Sequence, residues 1–176
     1  MVCSKNPGVR MSQVLEAHQI YQSPLVARNA SPEMIAVWSP QRKHSTWRRV
    51  WLALAEAEES LGLPISDAQI AAMRAHLDDI DFAEAAKQEA RVRHDLMAHL
   101  HTFALAAPAA KPILHLGATS MDIVDNTDVL LTRDALTLLA QKIANLIDAL
   151  GTFATEYRDL PCLAYTHLQP AQPTTV

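Results

Sequence analysis

Glycine is scarce in this chain of 176 residues, at four positions, and aromatic side chains make up only 5%. Ala and Leu dominate instead, a balance that favours helices over sheets. Cysteine is nearly absent. Cys3 and Cys162 lie far apart in sequence, which suggests no disulfide framework and leaves reduced thiols in a cytoplasmic protein as the plain expectation. No run of about 18 apolar residues occurs, so no transmembrane helix is expected. Met1 to Gln19 has no apolar core of the secretory type. The net charge is −4, with acids and bases interleaved. Neither a nucleic-acid patch nor a basic membrane surface is expected from that pattern.

What is present is an apolar fraction of 49%, enough to build a real core. The reading is all-α. Residues 1–20 are expected to be a disordered leader, 21–119 an N-terminal helical domain, and 120–176 the start of a helical-bundle domain. Tyr21 to Pro40 reads as loop-like around Pro24, Pro32 and Pro40, with a short helix after Ser31-Pro32-Glu33. There Ser caps, Pro takes the first helical position, and an acid follows. A helix is predicted from Thr46 to Leu61, on the spacing of Trp47, Val50, Trp51 and Leu54, with Gly62 ending it. Ser66-Asp67 predicts a second through His76, Asp81 a third from Phe82 to Arg91, and a fourth begins near His94 and ends before Pro108.

The longest predicted helix follows Ser120 and reaches Arg158. Leu136, Leu139, Ile143, Leu146, Leu150, Phe153 and Tyr157 fall in steps of three and four along it, a heptad-like stripe. At about 1.5 Å per residue it exceeds 50 Å. That is more helix than a chain of this size needs for its own core, so the stripe is expected to pack against partners. An ordinary amphipathic helix with a bend is the alternative.

Three clusters carry possible chemistry. Arg93-His94-Asp95 is followed by His99 and His101. On a helix His94 and His101 share a face and His99 does not; a zinc pair of His99 and His101 would require a strand. Without a ligand, Arg93 and Asp95 read as a solvated helix start whose acid complements the dipole. Gly117-Ala118-Thr119-Ser120-Met121-Asp122, continuing to Asp125-Asn126-Thr127-Asp128, places hydroxyls and free N–H groups at the start of the long helix. That suits a carboxylate or phosphate, although capping by Ser120 explains it too. Finally Thr166-His167 sets an imidazole before the proline-punctuated Leu168-Gln169-Pro170-Ala171-Gln172-Pro173, read as the entrance of a new helix. Such a histidine can exchange a proton near neutral pH, or simply be hydrogen-bonded in a turn.

Taken together, and joined by Tyr21-Gln22-Ser23-Pro24-Leu25-Val26-Ala27-Arg28 and Ser31-Pro32-Glu33-Met34, these segments resemble the adenylosuccinate lyases of the fumarase/aspartase superfamily. The resemblance runs from Tyr21 to Val176. The last motif is shared across the superfamily, and the Arg-His-Asp and Gly-Ala-Thr-Ser motifs narrow it.

The resemblance implies a cofactor-free, metal-free β-elimination. Adenylosuccinate gives AMP and fumarate, and the succinylated carboxamide ribotide SAICAR gives AICAR and fumarate, in purine nucleotide biosynthesis. By position, His167 is the implied general acid. His94 is implied to orient substrate beside Arg93 and Asp95, Thr119 and Ser120 to hold a succinyl carboxylate, and Arg28 to meet the nucleotide phosphate. Asn29 stands where the family usually has Tyr. The family's mobile Gly-Ser-Ser-x-Met-Pro loop, whose serine is the implied base, does not occur in these 176 residues. Family members also build each site from several subunits of a homotetramer. The expectation is therefore an N-terminal portion of such an enzyme, inactive alone. Two alternatives stand beside it: an argininosuccinate lyase-like enzyme, which shares the Thr-His-Leu-Gln-Pro-Ala-Gln segment, and a non-catalytic helical module that oligomerises through the heptad stripe.

Overall fold

The computed structural model describes residues 23–175; the expected leader over 1–20 and Cys3 lie outside them. Three Ser-Pro pairs open three successive helices: α1 (Pro24–Asn29), α2 (Pro32–Val37) and α3 (Pro40–Ser60). Each proline occupies the first turn, where its missing N–H costs nothing. The Ser31 hydroxyl accepts from the Met34 N–H, and Ser39 accepts from Arg42 at 3.2 Å. The short helix expected after Ser31-Pro32-Glu33 is present as α2, whereas α1 occupies a stretch expected to be loop. The described part is two short helices, and α3 starts six residues before Thr46, the expected start.

The remaining punctuation works as read. Gly62 takes φ +91° just beyond α3. Ser66 and Gln69 form a reciprocal capping box at α4 (Asp67–Ala75). Asp81 accepts from the Glu84 N–H at 2.8 Å to open α5 (Phe82–Val92). Helix α6 (Asp95–Ala106) leads through a 3₁₀ turn (Pro108–Ala110) to α7 (Ser120–Tyr157), 38 residues long. The chain is not wholly helical. Strands β1 (Pro161–Thr166) and β2 (Gln169–Thr175) form an antiparallel hairpin after α7.

The core gathers on one face of α3. Trp47 and Trp51, one turn apart, are fully buried with Leu52, Met73, Leu96, Phe103 and Ile123. Between the two tryptophans lies Arg48, only 2% exposed. Its guanidinium sits 4.6 Å from the Phe103 ring centre. It donates to Asp79 Oδ1 at 2.9 Å and to the His76 carbonyl. A cation is tolerated in this core because its Nη1 meets a carboxylate and a carbonyl and the guanidinium lies against a π-cloud. The bonds also pin the α4–α5 connection to α3.

Helix α7 packs on α3 and α2, and its buried residues all lie in its first half. Ile123, Thr127, Leu131 and Ala135, every fourth residue, are buried. Arg42–Asp134 at 2.8 Å and the longer Glu33–Lys142 pair brace the same stretch. Beyond Ala135 no described residue of α7 is buried, and Leu136, Leu139, Ile143, Leu146, Ile147, Leu150 and Phe153 are 46–63% exposed. The stripe is present, and among the described residues nothing buries it.

Replacing Arg48 by Ala removes its packing and leaves the His76 carbonyl without this donor. We expect a loss of roughly 2–4 kcal/mol of unfolding free energy, read from the urea midpoint. A change below about 0.5 kcal/mol, the scale of a plain surface substitution, would show that Arg48 is not a brace.

Candidate functional site

The α5–α6 junction and the start of α7 meet. Arg93 ends α5 in the left-handed region, at φ +54°, reversing the chain so that His94 becomes the N-cap of α6. The His94 imidazole then bridges two elements. Its Nε2 lies 3.1 Å from Ser120 Oγ on α7, and its Nδ1 lies 3.4 Å from Asp95 Oδ1. The carboxylate favours a proton on Nδ1, so the Ser120 hydroxyl donates to Nε2. The Asp95 carboxylate also accepts from the Leu96 N–H at 2.7 Å, which fixes its place.

The opening of α7 differs from the expected one. Thr119, not Ser120, is the N-cap. Its N–H donates to Asp122 Oδ2 at 2.7 Å, and its hydroxyl reaches the same oxygen at 3.2 Å. In this state the donors expected to hold a foreign carboxylate are held by the chain's own Asp122. Asn126 donates to the Asp122 carbonyl at 2.7 Å. Thr127 is fully buried with an unpartnered hydroxyl, which accounts for one of the four polar residues on these turns as a packing position. Gly117 precedes the cap at φ +63°, a conformation glycine adopts without strain. Gly117, Ala118, Asp122 and Asn126 line one wall of a cleft of about 500 Å³, with Val50 and Leu54 of α3 opposite.

Sequence reasoning passed over His115. It takes φ +62°, and its Nδ1 accepts from the Trp51 indole at 3.1 Å. The neutral ring therefore carries its proton on Nε2. Burial pushes its pKa down, opposed by Asp122 and assisted by His94, so the ring senses both groups of this cluster. Its position two residues before Gly117, at the edge of the Gly-Ala-Thr-Ser motif, was the available signal. His99 departs from expectation in the other direction. It lies on α6, is buried, and stacks on His44 at 3.6 Å between ring centres. His101 is half-buried on the same helix, so the strand that a His99–His101 zinc pair needed is not formed.

The structure does not bring His167 to this cluster. His167 and Leu168 form the two-residue hairpin turn, at φ +49° and +63°, between the paired Thr166 and Gln169. Positive φ at both central positions is the type I′ pattern that matches strand twist. The expected helix entrance is thus a hairpin tip, and the imidazole there is exposed. A helix of 38 residues separates His167 from Ser120, roughly 57 Å at the usual rise. A six-residue strand returns at most about 20 Å of that. Arg28 and Asn29 end α1 and are exposed. Among the described residues, no hydrogen bond or ion pair joins them to His94 or Ser120.

The fold and the His94–Ser120 junction define a helical protein with a polar site at a helix start. The sequence profile of a family described as Lyase matches residues 28–176, and the chain belongs to that family. It is 47% identical over 162 residues to an adenylosuccinate lyase of Schistosoma mansoni, covering 92% of this chain and 34% of that protein. To the adenylosuccinate lyase of Saccharomyces cerevisiae it is 50% identical over 159 residues, covering 89% and 33%. Among solved structures, a 3-carboxy-cis,cis-muconate lactonizing enzyme from Pseudomonas putida superposes with a TM-score of 0.75 at 30% identity, over 86% of this chain and 36% of that one. A fumarate lyase from a Mesorhizobium species gives 0.71 at 30% identity, over 83% and 35%. The chain spans about a third of the length of these curated relatives.

Replacing Asp122 by Ala removes the partner of the Thr119 N–H and hydroxyl. We expect about 1 kcal/mol of destabilisation, measured by thermal or urea unfolding. Replacing Ser120 by Ala leaves the cap intact. It is expected to shift the ¹⁵N resonance of His94 Nε2 while leaving that of His167 unmoved.

Proposed function

We propose that this chain supplies substrate-binding and acid groups for an adenylosuccinate lyase, the β-elimination of fumarate from adenylosuccinate or SAICAR. The observation that carries the reading is the His94–Ser120 hydrogen bond across α6 and α7, in a chain about half identical to enzymes of that name.

The chemistry sets the demands. A proton must leave the carbon beside a succinyl carboxylate, an acid weak enough to need the resulting charge stabilised as it forms. The departing nitrogen must be protonated, because an amine anion leaves badly. At the start of α7 the helix dipole and hydroxyls favour an anion. A succinyl carboxylate seated there would take the Thr119 donors now held by Asp122 and the Ser120 hydroxyl now given to His94, exchanging an internal carboxylate for the substrate's. His94, oriented by Asp95, turns its Nε2 toward that position, with Arg93 alongside. His167 is the general acid, and Arg28 with Asn29 meets the nucleotide end. Neither a metal nor an organic cofactor enters this scheme.

The distance between His167 and Ser120 decides how the groups meet. One copy of this chain holds them at opposite ends of α7, so the acid and the carboxylate site belong to different copies. The bare stripe from Leu136 to Phe153 is the surface on which those copies assemble, in a homotetramer of cytoplasmic enzyme. Within it, residues 21–119 form the N-terminal domain and 120–176, opening with α7, begin the bundle.

Two measurements test the reading. The 176-residue chain mixed with adenylosuccinate is expected to release no fumarate at an enzymatic rate; steady release would overturn the division of the site. In a chain of the relatives' full length bearing these residues, His167→Ala is expected to lower kcat by about 10² to 10⁴ with little change in KM. A loss confined to thermal stability would remove His167 from the chemistry.

A further inference from the structure

We propose that His44 and His99 form an acid-sensitive latch that holds the start of α5 and, through it, the Arg93–His94 junction.

The two imidazoles lie parallel, 9° apart, with centres 3.6 Å from one another. Trp47 meets both edge-on, at 4.8 Å and 5.5 Å. Phe82, the first residue of α5, meets both as well, at 5.7 Å and 6.4 Å. Such a stack is stable while both rings are neutral. Two imidazolium cations at that separation repel strongly, and one is already poorly solvated among aromatic faces. The Nδ1 of His44 is buried without a well-formed hydrogen bond, and the Pro40 carbonyl beside the ring only partly answers a proton added to it.

The charged surroundings are mixed. Lys43 and Arg48, from α3, oppose protonation of the pair; Asp95, from α6, and the Pro40 carbonyl beside His44 favour it. Helix α5 contributes the apolar Phe82 ring. Burial outweighs the favourable terms and pushes both histidines down to about 4. The sign follows directly. Opening returns each ring toward its ordinary value near 6.5, so the opened state binds more protons between about pH 6.5 and 4, and closure weakens as pH falls through that window. Between pH 7 and 5 the bias toward opening grows roughly twentyfold for each ring freed.

Helix α5 is the element most exposed to that bias. Its single buried residue is Ala85, and α6 is its main packing partner. Phe82 on the imidazoles is therefore the clamp at its start. At its other end Arg93 holds the left-handed turn that sets His94 against Ser120. Loosening α5 frees that turn, whether or not the chain acts as a lyase.

The test uses the 176-residue protein. Imidazole ¹⁵N spectra are followed from pH 8 to 4, with amide hydrogen exchange corrected for intrinsic rate. The expected result is that His44 and His99 stay neutral below pH 5.5. Protection of the α5 amides should fall at least tenfold from pH 7 to 5, while the Trp47–Ala55 amides keep theirs. His44→Phe and, should that chain not fold, His44→Gln are expected to cut the α5 response by most of its size. Independent titration of both rings near 6.5 would overturn the proposal. So would α5 and α3 losing protection in step, or an undiminished acid response in the folded variant.

Discussion

Trp47, Arg48 and Trp51 leave water together, on one turn of α3, and the other helices take their places from that event. The two indoles supply the apolar area around which Met73, Leu96, Phe103 and Ile123 collect. Arg48 makes the collection specific. A greasy face alone would accept several arrangements of α4 and α6, but a buried guanidinium accepts only one that brings Asp79, the His76 carbonyl and the Phe103 ring to it. The Trp51 indole reaches further and fixes His115 in the loop before α7. A single helical turn thereby connects the hydrophobic core to the polar cluster around Ser120.

Much of this was legible in the sequence because local signals and tertiary demands agree. Ser66 with Gln69, Asp81 before Phe82 and Gly62 after α3 each satisfy orphan backbone groups with neighbours a few residues away, so a linear reading finds them. Ser31 before Pro32 marked α2 correctly, but Pro24 and Pro40 misled because proline marks both loops and first helical turns; the serine preceding each was the deciding residue there too. At the site, the residue types and the order of His94, Thr119 and Ser120 could be read. What went unread was who occupies whom: Asp122 filling the Thr119 donors, or His99 turning inward onto His44. The first follows a Thr-x-x-Asp spacing that the sequence did offer; the second joins residues 55 positions apart, for which no spacing rule exists.

The Thr166-His167 segment shows a different failure. Its prolines and the polar Gln169 and Gln172 fit a helix start and an edge strand about equally well. Pairing across the turn decided for the strand. The histidine is consequently carried at the tip of a projecting ribbon, well separated from the cluster at the other end of α7. Long separation along one rigid helix is a strong constraint: no side-chain motion within a copy closes a gap of tens of ångströms. The residues of the proposed chemistry are thus divided by architecture before any question of reactivity arises.

That ribbon also carries a safeguard. Both strands of the hairpin are exposed almost throughout, which ordinarily invites further chains to pair along the open edges. Strand β2 contains Pro170 and Pro173, opposite Tyr165 and Leu163, and proline has no N–H to offer. Between those two pairs β2 carries one residue more than β1, an irregularity that breaks the ladder. The composition of the hairpin therefore works against further chains pairing along it and against its becoming a seed for cross-β growth.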